Sequence, residues 1–354
     1  MKLFFISPLH RREDSVIIIG ELYSCPYRRS TAACRQERTI VMDKKRKKRF
    51  GDRSDGWRLR GIDPYDTVSP YIMVERCDAQ NYFNDKFEIT EAEKYVREKR
   101  NQGYKNFGLM HVMLAAYIRT MSQKPYLNRF LSGQKVYARN TIQVNMAVKK
   151  ELVADETNTV IKVFFEPTDT ALDVYEKFTK TYEDAFAVEE NAFDGVARIL
   201  SYIPGVIKKF VVWFLKLLDY FGLLPKALLN VSPFHGSMFI TSMGSLGIPP
   251  IYHHLYNFGN VPVFIAFGAK RLAYELNSDF EPVRRRYIDY TVVVDERICD
   301  GFAYASAFKL FRRYMANPSL LDMPPETVVE DGDIDPKPKK KKEKKAKTEA
   351  PKAE

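Results

Sequence analysis

The chain has 354 residues, a hydrophobic fraction of 45% and a formal net charge of +11. This much apolar sequence can bury a large core, which excludes a chain that is disordered throughout. The charge is confined to the two ends, because residues 1–60 contain 16 Lys and Arg against 7 Asp and Glu, and residues 337–354 contain nine Lys against three Glu. The sequence between them carries a net charge of −4, so the folded body is not basic.

Residues 1–56 are predicted to form a basic, poorly ordered extension. They show no sustained periodicity and include the run KKRKKR at 44–49, shortly after Met42, which is an alternative start. The first residues lack the pattern of a signal peptide, and no uncharged apolar run reaches the roughly 18 residues of a membrane-spanning helix. We therefore expect a cytoplasmic protein, and the four scattered cysteines predict neither a disulfide framework nor a zinc site.

Residues 57–328 are predicted to form one domain of α/β class (α+β type) with a mixed sheet. The alternating or β-rich segments that predict strands are 70–80, 135–150, 158–167, 238–243, 261–268 and 286–296. The helical patterns cover 89–100, 109–121, 170–186 and 303–315. There is no regular alternation of strand and helix, which favours a mixed sheet over a purely parallel one. His111 lies in the most apolar helix and is predicted to be a core residue.

An apolar helical insertion at 193–230 interrupts this domain. The segment 196–231 is dense in Leu, Ile, Val and Phe, with lysines spaced through it, and it predicts two helices broken near Pro204 and Pro225. One interpretation is packing against the body or against a neighbouring subunit. The other is contact with a membrane surface, in which lysines stay in water beside an apolar face.

The C-terminal segment 329–354 is predicted to be a disordered, lysine-rich tail, since low-complexity charged sequence cannot offset the entropy of ordering. The basic runs at the two ends also raise the hypothesis of nucleic-acid binding. Aromatic residues are not interleaved with these runs, so no stacking surface is predicted and specific binding is not expected. Binding through lysine alone would be non-specific and steeply lost with salt.

The sequence that carries most functional information is TVVVDERICDGFAYASAFKLFRRYM at 291–315. A buried strand here ends in a polar turn with Asp295, Glu296 and Asp300, followed by Gly301 and an amphipathic helix. Charged groups at a strand end beside a turn glycine are well placed to project into a cleft. A capped turn that is held by ion pairs is the alternative interpretation.

This segment resembles the D-H-R-x-x-D-G motif of the acyltransferase component of 2-oxo-acid dehydrogenase complexes, and the H-H-x-x-x-D-G motif of chloramphenicol acetyltransferases, which share one fold. The segment HGSMFITSMGSLGIPPIYHHLYNFGNVPVFIAFG at 235–268 resembles the family's hydroxyl-bearing strand, glycine turn and next strand. The resemblance covers roughly 57–318. It implies a homotrimer with active sites between subunits and a coenzyme A thioester as substrate, with an unidentified acceptor.

The resemblance also implies roles for individual residues. Glu296 occupies the position of the family's catalytic histidine, the general base that deprotonates a thiol. Asp300 falls on the motif's aspartate, whose arginine partner would be Arg60. Ser242 falls on the serine that hydrogen-bonds the tetrahedral oxyanion, a contact worth about 2.7–4 kcal/mol in other enzymes.

The carboxylate at position 296 leaves three outcomes open. A glutamate has an ordinary pKa of about 4.3 and a thiol about 8.5, so a carboxylate base would need burial to come near operating pH. Either Glu296 is a base whose pKa is raised by burial, or His253 or His254 supplies an imidazole as the base, or the acyl-transfer chemistry is lost. The two adjacent histidines do not predict a metal site, because neighbouring side chains of a strand point to opposite faces.

Two functional hypotheses therefore remain. The first is a coenzyme A-dependent acyltransferase of this fold. The second is a catalytically impaired trimeric scaffold or binding protein that keeps the fold. No lipoyl attachment segment is visible in the sequence, so the chain resembles an isolated catalytic domain.

Overall fold

A computed structural model describes residues 46–148, 159–187 and 200–336, with the single positions 195 and 198. The predictions for residues 1–45, including the alternative start at Met42, and for the tail residues 337–354 lie outside the described residues. The described chain makes ordered contacts as far as Asp335, beyond residue 328 where the sequence places the end of the domain.

A six-stranded mixed sheet forms the centre of the fold, with the strand order β2-β9-β8-β7-β5-β6. Strand β7 pairs in parallel with both β5 and β8, and the other pairs are antiparallel. This confirms the predicted α/β class and its mixed sheet. The six strands are β2 (Gln80–Glu88), β5 (Ile142–Val148), β6 (Thr159–Phe165), β7 (Met238–Ser242), β8 (Val263–Leu276) and β9 (Pro282–Asp295).

A second, three-stranded antiparallel sheet has the order β1-β4-β3. Its strands are β1 (Gly56–Arg58), β3 (Arg129–Ser132) and β4 (Lys135–Arg139). The segment 135–150, predicted as one β region, is therefore divided between the two sheets. Its second half, β5, pairs with β6 as the alternation predicts.

The helices are α1 (Pro64–Ile72), α2 (Thr90–Asn101), α3 (Leu109–Gln123), α4 (Ala171–Ala187), α5 (Gly205–Tyr220), α6 (Lys226–Val231) and α7 (Gly301–Ala316). Four of them, α2, α3, α4 and α7, contribute to the hydrophobic core on one face of the large sheet. Helix α3 is buried nearly all round, as its composition predicts, and packs with α7 against inward-facing residues of β9 such as Val292 and Val294. Burial of these apolar side chains is the main force holding the layers together.

The predicted strand at 70–80 is wrong. This segment forms the end of α1, a link at 73–75 and a short 3₁₀ turn at Arg76–Ala79, and β2 begins only at Gln80. Pro64 at the start of α1 presets helical backbone angles,. The alternating residues Ile72 and Val74 are both exposed, so the pattern that suggested a strand has no buried face.

The two helices of the apolar insertion begin at the predicted breaks, since Pro204 and Pro225 are the N-cap residues of α5 and α6. Most of α5 is exposed, and Asp219 is its one buried residue. Within the part of the chain that the structure describes, no helix is long and apolar enough to cross a membrane.

His111 is a core residue, as predicted. Its ring stacks on Phe107 and its Nδ1 accepts a hydrogen bond from the backbone N–H of Gly108 at 2.9 Å, which caps α3. Burial lowers the pKa of His111 to about 4, so the neutral ring is the native form at neutral pH.

His111 should make stability pH-dependent. Its folded pKa lies below the unfolded value near 6.5, so the stabilisation is present above pH 6.5 and is lost as the pH falls towards 4,. His111→Phe should flatten the slope of unfolding free energy against pH in this window, measured by urea unfolding. His254→Gln, at an exposed position, is the control and should keep the wild-type slope. An unchanged slope in His111→Phe would show that the ring does not titrate on unfolding.

Candidate active site

The turn that follows β9 projects Glu296 from the end of the large sheet. The backbone N–H of Glu296 donates to the carbonyl of Ala79 at 2.9 Å, which holds the turn against the start of β2. The Glu296 carboxylate accepts a hydrogen bond from Asn81 Nδ2 at 2.9 Å and is exposed in the single chain.

Arg297 points in the opposite direction, into the protein. Its Nε and Nη2 donate to the two oxygens of Asp295, both at 2.8 Å, and the two side chains are each 1% exposed. Its Nη1 donates to the carbonyls of Met73 at 2.6 Å and Val74 at 3.2 Å. The charge of Arg297 is therefore satisfied within the core, which separates Glu296 from its neighbour in sequence.

Arg76 completes this buried cluster. Its Nε lies 3.4 Å from Asp295 Oδ2, and its Nη1 donates to the carbonyl of Tyr256 at 3.1 Å. Burial lowers the pKa of Arg76, while the charge of Asp295 opposes that effect. Through Tyr256 and Arg76, the loop that carries the two adjacent histidines is fastened to the turn after β9.

A cavity of about 220 Å³ opens in front of Glu296. Its polar lining includes Tyr65, Asp66, Ser69, Asn81, Arg129 and Asp300. Arg129 is held by Asp331, with contacts of 2.6 and 2.7 Å, and by Asp333 at 2.8 Å. Burial raises the pKa of Asp66, and the nearby carboxylate of Asp63 adds to the effect.

Cys299 also lines this cavity, but its thiol is poorly suited to act as a nucleophile. Burial raises the pKa of Cys299 to about 12, and the charge of Arg129 only partly opposes this shift. Because the thiolate is the reactive form, the protonated thiol is inert at neutral pH.

Asp300 caps helix α7. Its Oδ1 accepts a hydrogen bond from the backbone N–H of Ala303 at 2.8 Å, the pattern of an N-cap residue,. The prediction of an ion pair between Asp300 and Arg60 is wrong. Arg60 donates instead to Asp52 at 2.9 Å and to the carbonyls of Arg58 and Phe50, because the chain before β1 folds back on itself.

Ser242 lies far from this cavity. It is the last residue of β7, and its Oγ accepts from the backbone N–H of Gly244 at 3.3 Å. Ser242 pairs with Phe267, and Phe267 pairs with Tyr290, six residues before Glu296 along β9. At about 3.3 Å per residue, this register separates Ser242 from Glu296 by roughly 20 Å along the strands.

The structure does not bring His253 or His254 into the cavity. The ring of His253 stacks on Phe264 of β8, with ring centroids 4.1 Å apart, and burial lowers its pKa. The Nε2 of His253 has no hydrogen-bond partner among the described residues. His254 is exposed and meets the ring of Tyr256 edge-on.

A buried ionic network gave no signal in the sequence. Asp219 of α5 accepts from Arg53 at 2.7 Å and lies 3.7 Å from His235 Nε2, and Arg53 also binds Asp55 at 2.9 Å. Burial alone would raise the pKa of Asp219, but His235 and Arg53 together lower it to about 2. These partners are up to 182 residues apart in the chain, so no local motif could predict that they contact each other.

A second cavity of about 220 Å³ lies on the other side of Arg297. Its charged lining consists of Glu75, Arg76, Lys216, Asp219 and Arg297. Among residues 46–148, 159–187 and 200–336, no group of His, Cys, Asp and Glu could hold a metal ion.

Comparison with known proteins identifies the fold. The chain is similar to the dihydrolipoamide acetyltransferase of Azotobacter vinelandii, with 12% identity over 73% of this chain and 88% of that one and a TM-score of 0.50. It is also similar to the catalytic core of the 2-oxoacid dehydrogenase complex of Thermoplasma acidophilum, at 11% identity, 72% and 93% coverage and a TM-score of 0.44. A chloramphenicol acetyltransferase matches with 10% identity over 73% of this chain and 99% of that one, and a TM-score of 0.41.

No protein-family model matches the chain, and no curated protein matches its sequence. The fold is thus shared with the Azotobacter acetyltransferase, as the resemblance around Glu296 predicts, at a sequence identity of only 12%. This likeness concerns the fold alone.

Removal of the buried arginine should unfold the turn. Arg297→Met leaves the carboxylate of Asp295 buried with a weaker partner, so the free energy of unfolding should fall by about 3–5 kcal/mol. Glu296→Gln, next to it but exposed, is the control and should change stability by less than about 0.5 kcal/mol. Urea unfolding measures both. Equal losses in the two variants would contradict the separate roles of these neighbours.

Proposed function

We propose that the protein is a coenzyme A-dependent acyltransferase whose active site forms between copies of the chain. The observation that carries the proposal is the turn after β9, in which Arg297 is drawn into the core and Glu296 is left facing a cavity. A carboxylate at this place can accept a proton from an acceptor group bound in the cavity.

The spacing of residues in the Azotobacter enzyme supports this assignment. The residues studied for their roles in that enzyme's catalytic mechanism are a serine, a histidine 52 residues later and an asparagine four residues after the histidine. In the present chain, Ser242 precedes Glu296 by 54 residues, and Asp300 follows Glu296 by four. The proposal therefore assigns Glu296 to the histidine's role and Asp300 to the asparagine's.

The proposed reaction uses two side chains, Glu296 and Ser242, contributed by two copies of the chain. Glu296 takes the proton from the acceptor thiol, and the resulting thiolate attacks the carbonyl carbon of the acyl thioester. The oxyanion that forms accepts a hydrogen bond from the hydroxyl of Ser242, which stabilises charge that develops in the transition state. The tetrahedral intermediate then collapses, the bond to the sulfur of coenzyme A breaks, and that sulfur recovers the proton from Glu296.

A second copy must supply one of the two groups, because the register separates Ser242 and Glu296 of one chain by roughly 20 Å along the strands,. We propose a cytoplasmic homotrimer in which Ser242 of one subunit faces Glu296 of the next. The same contact would bury Glu296, which is exposed in the single chain, and would exclude water from the reacting groups,.

An acyl-transfer assay tests the proposal. Purified protein is incubated with acetyl-, succinyl- or longer acyl-coenzyme A and dihydrolipoamide, and free coenzyme A is measured. Glu296→Gln should lower kcat by about 10²–10⁴-fold, as expected for loss of a general base. Ser242→Ala should lower kcat by about 10²–10³-fold, as expected for loss of one oxyanion donor.

Two control variants complete the assay. Glu296→His restores an imidazole and should retain turnover, whereas Glu91→Gln, on the exposed face of α2, should behave as wild type. If joint replacement of His253 and His254 abolishes turnover while Glu296→Gln does not, the base is a histidine. If no acyl-coenzyme A releases thiol with any acceptor, the second candidate, a scaffold of the same fold, replaces the first.

A further inference from the structure

Helix α5 is held to the body at its C-terminal end. Asp219 accepts from Arg53, and the carbonyl of the same residue accepts from Ser132 Oγ at 3.0 Å. The backbone of the β3–β4 hairpin comes so close that a Cβ at Gly133 would overlap the carbonyl oxygen of Tyr220. The direction of α5 on the body is therefore fixed by buried contacts.

The exposed side of α5 is an apolar stripe. Its members are Val206, Phe210, Trp213, Phe214, Leu217 and Tyr220, each between 37% and 84% exposed. At 3.6 residues per turn, this spacing puts all six on one side of the helix, about 24 Å long. Lys209 and Lys216 fall along one edge of the stripe, next to Trp213 and Tyr220.

The two basic segments of the chain begin at one place on the surface. Arg46, within the run KKRKKR, donates to Asp335 at 2.7 Å, and Arg49 lies 2.8 Å from the same carboxylate. The nine lysines of 337–354 follow immediately. Arg53, which anchors α5, is four residues beyond Arg49. Four residues span at most about 14 Å, so the run KKRKKR ends within that distance of Arg53.

We propose that the apolar stripe of α5 inserts into the interface of an anionic lipid bilayer, with the basic segments bound to its headgroups. A single weak anchor gives marginal attachment, whereas an apolar element combined with a polybasic segment gives stable attachment. Aromatic residues and lysines at the edge of an apolar face suit the boundary between acyl chains and headgroups. This inference does not depend on the proposed acyl transfer.

A second copy of the chain fits the stripe less well. Two stripes packed antiparallel about a two-fold axis would bring Lys209 and Lys216 of both copies to the same edge of the interface, where like charges repel. An anionic surface neutralises the same lysines. Charge complementarity therefore favours lipid.

Trp213 provides a direct readout, because the chain contains only two tryptophans, Trp57 and Trp213. In full-length protein carrying Trp57→Phe, Trp213 is the sole tryptophan. With phosphatidylcholine vesicles containing 30% phosphatidylglycerol, its emission should shift to the blue and be quenched by lipids brominated on the acyl chains. Pure phosphatidylcholine vesicles should give a much smaller effect at the same lipid concentration.

Matched variants separate the two contributions in vesicle co-sedimentation. Val206→Glu/Phe210→Glu should lower partitioning at least about tenfold, because two charges enter the apolar stripe. Lys209→Gln should lower it about fivefold, the effect expected of one lysine at an anionic surface. Leu276→Glu is the control, since Leu276 is 63% exposed at the far end of β8, and it should partition as wild type.

Two results would overturn the proposal. One is unchanged Trp213 emission together with no sedimentation of wild-type protein on anionic vesicles. The other is wild-type partitioning of Val206→Glu/Phe210→Glu, since binding would then rest on the basic segments alone. Light scattering accompanies both measurements. A fall in oligomeric mass in the stripe variant, without lipid binding by the wild type, would assign the stripe to an interface between copies.

Discussion

The ion pair between Arg297 and Asp295 is the contact on which the candidate site depends. Both side chains are almost completely buried, and Arg297 also binds two carbonyls of the link between α1 and β2. Burial of a charge is tolerated only when it is paired and hydrogen-bonded, so this geometry fixes the direction of the turn. The neighbouring residue, Glu296, is then left outside, where Asn81 orients its carboxylate. One buried pair thus positions an exposed, chemically useful group.

The sheet register determines whether one chain can hold both Ser242 and Glu296 in a single site. The sheet register places Ser242 and Glu296 about 20 Å apart along the strands,. No side-chain movement within one chain can close that gap. If both residues act on one substrate, the substrate must lie between two copies, and the exposed carboxylate becomes buried only on assembly. Chemistry and oligomerisation are therefore linked in this account.

Local patterns predicted much of the fold. The strand, turn and helix around Glu296 are found where the sequence places them, because hydrophobic periodicity and the glycine after the turn are local signals. The strand at 70–80 was wrong, since alternation without knowledge of burial cannot separate a strand from a short helix. Arg60 was assigned to the wrong carboxylate, and the network of Arg53 and Asp219 was missed. Residues that contact each other only in the tertiary structure have no characteristic separation along the chain, so the sequence gives no signal of the contact.

If the site is shared between copies, two variants that each lack one of its groups should complement each other. Ser242→Ala and Glu296→Gln chains, each inactive alone, are co-expressed so that mixed oligomers form, and acyl transfer is measured. In a cyclic oligomer assembled at random from equal amounts, about one quarter of the interfaces combine an intact Ser242 with an intact Glu296, so activity should recover to about a quarter of the wild-type value. Activity that stays at the level of the two separate variants would rule out a site shared between copies.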